Sequence, residues 1–265
     1  MIARGAGSLG AHLHAWSTPP LVWLTKADFW HMPYMVEYPD RAMREKLTVL
    51  SETLESTFGG KVVSHRAGRW DFNETYARML AEFGYLVDCS VTPHVSWRDQ
   101  KGDPRGAGGP DFSAFPESAY FVDLSDVRRP GRSALLEVPV TIVAQRWPPA
   151  VERARRSLKR SNLAQRVMRR LFPPVQWLRP NGRNRRQMLD IPSVAANQGR
   201  DYVQFMLHSS ELMPGGSPTF ATCGSVDSLY EDMEAVFERA RDRFDGMTLK
   251  EYYHRCRGGA GGDAG

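Results

Sequence analysis

The strongest constraint on how this chain folds is an alternation of helix-like and strand-like segments, punctuated by glycine, between residues 40 and 91. Met43, Leu47, Leu50 and Leu54 recur at three- and four-residue spacing from Asp40 to Phe58, and Gly59-Gly60 follows as a stop, so this segment is a helix. Lys61 to His65 then has the composition of a short strand, with Arg66-Ala-Gly-Arg-Trp70 as the loop at its carboxyl end. Asn73 is placed to cap a second helix running to Phe83, Gly84 ends it, and Tyr85 to Val91 forms the next strand. This βαβ rhythm predicts an α/β protein with a parallel sheet or barrel, in which functional residues gather at the carboxyl ends of strands.

Other segments extend the pattern. A strand over Gly10 to Trp16 ends at Pro19-Pro20 and opens a loop carrying Trp23, Phe29, Trp30, Tyr34 and Tyr38, which either stacks on sugar rings or packs against a barrel rim. Residues 99–115, rich in Gly and Pro, form a surface excursion. Ala134 to Val143 is a strand whose interior Pro139 marks an edge, a bulge or a strand end. Asp201 to His208 is another, with His208 at its tip, and Val226 to Phe244 is the last patterned helix. With 265 residues and 42% hydrophobic content the chain suffices for one large domain, taken as 1–250, followed by a flexible glycine-rich tail, 251–265.

Three widely spaced cysteines, Cys89, Cys223 and Cys256, suggest neither a disulfide framework nor a zinc–thiolate cluster. No apolar run reaches the roughly 20 residues that span a bilayer, and no secretory pattern opens the chain, so a cytoplasmic location and no transmembrane segment are expected. The net charge of +5 is concentrated: twelve Lys or Arg and no Asp or Glu lie between Arg153 and Arg186, leaving 23 basic against 30 acidic residues elsewhere. Leu158, Leu163, Val167 and Leu171 recur through that segment, which predicts a basic amphipathic helix. It is either a solvated face over the core or a contact to a polyanion or membrane surface. It lacks the interleaved aromatics of a single-strand nucleic-acid platform, so no nucleic-acid partner is expected.

His12 and His14 face the same way on a strand and can offer two nitrogens to one divalent cation. A catalytic zinc usually takes three protein ligands, and two histidines on a surface strand are equally an ordinary surface feature. Their weight comes from company: His14, Arg66, Ser90 and His208 all fall near predicted strand ends, which predicts one shared site. Taken singly, each is as well explained as a cap, a salt-bridge partner or a core histidine.

Gly10-Ala-His-Leu-His-Ala-Trp-Ser-Thr-Pro-Pro20, His65-Arg-Ala-Gly-Arg-Trp70, Gly84-Tyr-Leu-Val-Asp-Cys-Ser-Val-Thr-Pro93, Leu136-Glu-Val-Pro139 and Met206-Leu-His-Ser-Ser-Glu-Leu-Met-Pro-Gly-Gly216, in that order, resemble the NodB-type polysaccharide deacetylases. More closely, they resemble a subgroup with a Gly-Ala-His-x-His-x-Trp segment. The resemblance implies an incomplete, distorted (β/α) barrel, TIM-like in plan, and a metal-dependent hydrolase that removes N-acetyl groups from a carbohydrate by cleaving an amide C–N bond. His12 and His14 would bind the metal, most naturally zinc; Arg66 would orient a catalytic carboxylate; His208 would protonate the leaving amine. Trp16, Trp70, Ser90, Ser209 and Glu211 are assigned to the substrate, with Ser209, Ser210 and Glu211 equally able to hold His208 in one tautomer.

The family places two carboxylates on a strand ahead of the His-x-His segment, so the chain is read as missing its first βα unit or units, with incomplete metal binding in consequence. Asp88 is the first local residue to consider as a further ligand. Two rival readings remain: a non-catalytic carbohydrate-binding remnant, and a protein bound to a polyanion or membrane surface through residues 153–186.

Overall fold

A computed structural model describes residues 7–103, 106, 108–157 and 163–259. The chain divides into two compact units, Met1–Pro139 with Gly246–Gly265, and Val140–Asp245.

The first unit is built on a mixed sheet. Strands β1 (Gly10–Leu13), β2 (Ser64–Ala67), β3 (Val87–Asp88) and β6 (Leu136–Glu137) run parallel, and β4 (Tyr120–Asp123) and β5 (Asp126–Pro130) add an antiparallel pair, giving the order β1-β2-β3-β6-β4-β5. The expected α/β class with parallel strands is therefore present. The sheet is open from β1 to β5, and among the described residues no strand closes it into a barrel.

The connecting helices form where the sequence pattern places them. Helix α2 (Asp40–Phe58), which follows the short α1 (Asp28–His31), buries Ala42, Met43 and Leu47 and ends at Gly59, whose φ of 69° is a conformation that glycine adopts without cost. Helix α3 (Glu74–Glu82) is capped by Asn73, whose side chain accepts the Tyr76 N–H at 2.9 Å, and buries Tyr76, Ala77, Met79 and Leu80. The strands are shorter than their apolar runs. The predicted strand over 85–91 reduces to Val87–Asp88, and Pro139 ends β6 instead of lying within one strand to residue 143.

Helix α8 (Leu249–Gly259) occupies most of what the sequence suggests is a flexible tail. Its start is a capping box: Thr248 Oγ1 accepts the Glu251 N–H and Glu251 accepts the Thr248 N–H at 2.7 Å. Tyr252 and Tyr253 are buried, and the Arg257 guanidinium lies 4.9 Å from the Phe121 ring centre. Residues 260–265 lie outside the described residues.

The second unit contains the antiparallel pair β7 (Ile142–Ala144) and β8 (Val175–Trp177), with α6 (Arg185–Asn197) and α7 (Cys223–Ala240). Val143, Leu178, Met188, Ile191 and Val236 form its core. Of the expected basic helix, α4 (Pro149–Ser157) and α5 (Leu163–Leu171) are seen, residues 158–162 lying outside the described residues; it does not run on to Arg186, because Pro173-Pro174 cannot continue a helix and Val175 of β8 pairs with Ala144. The predicted strand over 201–208 does not form. Gln204 N–H is taken by the Thr141 hydroxyl at 2.7 Å and Met206 N–H by the Leu178 carbonyl at 3.2 Å, isolated bonds rather than a ladder. Among the described residues no helix is long and apolar enough to cross a membrane.

Candidate functional site

Cross-strand register sorts the polar residues of the sheet into two sets. Ala11, His65, Asp88 and Glu137 are directly paired across β1, β2, β3 and β6, and Tyr120 of β4 pairs with Glu137. Side chains alternate along a strand, so His12 and its partner Arg66, one residue on, belong to the opposite face.

On that face the two predicted imidazoles meet. His12 Nε2 lies 3.0 Å from His14 Nε2, and His12 Nδ1 lies 2.8 Å from the Arg66 carbonyl oxygen. A carbonyl only accepts, so His12 Nδ1 carries a proton; with both rings neutral, its Nε2 holds the lone pair and His14 Nε2–H donates into it. The Trp16 ring lies 4.5 Å from His14, centre to centre, and Phe29 lies 5.1 Å from Trp16. Gly68 makes the seat: a Cβ there would fall 2.5 Å from His14 Nδ1 and 2.6 Å from the Leu13 carbonyl oxygen. The next two residues, Arg69 (φ 59°) and Trp70 (φ 62°), both hold the left-handed backbone that such side chains avoid, strain of a kind that clusters at functional sites.

Arg66 does not grip a carboxylate among the described residues. Its Nε donates to the Cys89 carbonyl at 3.3 Å, and its guanidinium lies 5.8 Å from the half-buried Trp70 ring. Ser90, assigned to the substrate from sequence, is fully buried. Its hydroxyl donates to Asp88 at 3.0 Å and accepts the Ala67 N–H at 2.9 Å, which makes it a clasp between strands.

Asp88, the local candidate for a further ligand, belongs to the other face. It bonds His65 Nδ1 at 2.6 Å, His65 Nε2 meets the Tyr76 hydroxyl at 2.9 Å, and all three residues are buried. Burial acts to raise the Asp88 pKa, but the hydrogen bond and charge of His65 outweigh it and hold the carboxyl below its ordinary value. Burial and then the neighbouring Asp88 charge push the Glu137 carboxyl well above its ordinary value. The sequence signal for this cluster is a lone acid inside an apolar run, as in Leu135-Leu-Glu-Val138.

The loop after β1 is pinned from beneath by two residues that sequence reasoning missed. Lys46, fully buried on α2, donates to the Thr18 and Pro20 carbonyls at 2.8 and 2.7 Å. Asp28 accepts from the Leu24 N–H, the Thr25 N–H and hydroxyl, and Tyr38. These anchors leave Trp23 and Trp30 65% and 69% exposed, with Leu21 and Phe29 also on the surface. A shallow depression of about 530 Å³ is lined by Trp23, Leu24, Thr25 and Lys26.

His208 lies in the second unit, with partners of its own. Glu211, buried, accepts the His208 N–H at 2.7 Å, and Arg179 Nη2 lies 3.1 Å from His208 Nδ1 and 3.5 Å from Glu211 Oε1. His208 Nδ1 thus faces both a donor, Arg179, and a carboxylate oxygen, Glu211 Oε2 at 3.5 Å. Glu211 therefore bonds the backbone of His208, and Ser209 is exposed. Arg179 was hidden in the basic run of the sequence.

Two converging imidazole nitrogens suit two ligands of one cation, and the Nδ1–H to carbonyl bond is the support such ligands usually have. Among the described residues, however, no group of three or more His, Cys, Asp or Glu could hold a metal ion, so the donors present do not complete a catalytic zinc site.

No protein family and no curated protein matches the chain. Among solved structures it is similar to a protein from Mycobacterium smegmatis provisionally assigned as a polysaccharide deacetylase, at 17% identity over 85% of this chain, with a TM-score of 0.43. The match spans 60% of that protein's length.

Proposed function

We propose that this chain is a carbohydrate-acting hydrolase of the deacetylase type, cleaving the amide of an N-acetylated sugar, with the paired imidazoles of His12 and His14 at its reacting centre. What carries the reading is their convergence at 3.0 Å beside Trp16 and under the strained Gly68–Trp70 loop. As arranged, the pair holds one proton between two nitrogens, with the Arg66 carbonyl setting the tautomer of His12. Zinc is the cofactor in this reading, and it would need at least one donor beyond these two. Trp16 and the exposed rings of Trp23, Phe29 and Trp30 offer apolar faces on which a sugar ring stacks. His208 is the proposed leaving-group acid in this reading, a role that it fills as the imidazolium.

The test is acetate release from N-acetylglucosamine oligomers by the full chain across a zinc titration. Zinc-dependent release lost in His12→Ala, and reduced about 10²- to 10⁴-fold in His208→Ala, is the expected result. No release at any zinc concentration overturns it. A second reading is favoured by the incomplete donor set: a carbohydrate-binding protein without turnover. Its mark is saccharide binding, weakened by Trp23→Ala, with no acetate released.

A further inference from the structure

Helix α5 (Leu163–Leu171) exposes the face that an amphipathic helix normally buries. Leu163, Val167 and Leu171 stand on successive turns, one residue in four, and are 72%, 50% and 63% exposed. On a helix that covers a core, this stripe would be packed. Here the half-buried Phe172 takes that part: its ring meets Trp147 at 5.0 Å, and Trp147 Nε1 donates to the Pro173 carbonyl at 2.8 Å. The chain just after α5 is therefore anchored while the Leu–Val–Leu stripe is left facing water.

The charge around the stripe says what covers it. Residues 153–186 carry twelve Lys or Arg and no acid, whereas the rest of the chain carries more acid than base. A surface of negative charge attracts this segment. Nucleic acid would satisfy the charge but leave three aliphatic side chains uncovered, since its contacts favour stacking aromatics and hydrogen-bonding groups. An anionic bilayer satisfies both, taking the aliphatic stripe at the acyl boundary and the basic residues at the phosphates.

We propose that α5 forms a docking surface for anionic lipid bilayers, on which the stripe of Leu163, Val167 and Leu171 lies in the plane of the membrane. The proposal does not depend on the chemistry of the His12–His14 pair.

The experiment is vesicle co-sedimentation of the full chain, using phosphatidylcholine vesicles with and without about 30% phosphatidylserine. Binding at least about tenfold stronger to the phosphatidylserine vesicles is expected, weakening as salt rises. The double substitution Leu163→Gln with Leu171→Gln should reduce it about tenfold or more at an unchanged melting temperature, because both side chains are already in water. Arg170→Glu should weaken it as well. Equal partitioning to both vesicle types, no partitioning, or binding indifferent to the Leu163 and Leu171 substitutions would overturn the proposal. So would tighter binding to RNA or heparin that the double substitution leaves unchanged, since a polyanion needs no apolar stripe.

Discussion

His65 and His12 lie one step apart in register on neighbouring strands, yet their surroundings are opposite. His65 is buried, and both ring nitrogens are committed, one to a carboxylate held below its ordinary pKa and one to a buried phenol. His12 is exposed, tied at Nδ1 to a backbone carbonyl and facing at Nε2 a second imidazole that can itself gain or lose a proton. The pleat of the sheet makes this division: one face turns inward and demands that every polar group be paired, while the other opens at the strand ends. A histidine on the first face serves the fold. One on the second is available to chemistry.

The largest expected difference between the two faces is at Asp88. Asp88→Ala leaves His65 and the Ser90 hydroxyl without their buried partner, and truncating one member of a buried pair typically costs about 3–5 kcal/mol. His12→Ala removes a largely solvated ring and should cost less than about 1 kcal/mol. Urea unfolding of both variants measures the contrast. Equal losses would mean that the two faces do not differ as described.

Much of this division was legible in the sequence, though unevenly. Asn73 and Gly84 bound α3, and Gly59 ends α2, because caps and stops act within a few residues of themselves. His12 and His14 could be put on one side from strand periodicity alone. Asp88 could not be assigned to a face, because that depends on its pairing with His65, 23 residues earlier, and on register against Glu137. Ser90 fails in the same way: near a strand end in sequence, it is turned inward to clasp β2. In the second unit, β-type residues from Asp201 to His208 suggest a strand, but a strand needs a partner edge, and only scattered hydrogen bonds supply one. The site on the first unit was thus visible as residue types, and what the residues do was set by contacts distant in sequence.

Asp71 sharpens the comparison, since it is a buried carboxylate without the imidazole that Asp88 enjoys. It accepts the Val36 N–H at 2.8 Å, but burial, with Glu37 adding repulsion, pushes its pKa up to about 7 from an ordinary 3.8. The folded protein therefore binds more protons than the unfolded chain between those values. The associated stability is fully present below about pH 4 and is lost as pH rises through about 7. The full loss amounts to about 4 kcal/mol, and less where local opening lets water in. Asp71→Asn, neutral at every pH and still able to accept from Val36, should flatten the profile and stabilise the protein at pH 8. A melting temperature that falls as steeply from pH 5 to pH 8 in the variant as in the parent would refute the assignment.

The last expected effect is the most local. Gly68→Ala places a methyl group where the His14 ring and the Leu13 carbonyl already lie, so one of them must move. Overpacking of this kind costs about 1–3 kcal/mol, and the lower end applies here because the half-exposed His14 can shift outward. That shift breaks the 3.0 Å approach of the two Nε2 atoms and leaves the His65–Asp88 bond on the other face untouched. Nitrogen-detected NMR of the imidazoles reads both at once. The His12 and His14 signals should change tautomer pattern and pH response, while those of His65 stay where they are. If His65 moves with them, the two faces are coupled through β2, and the separation between structural and chemical histidines fails at its narrowest point.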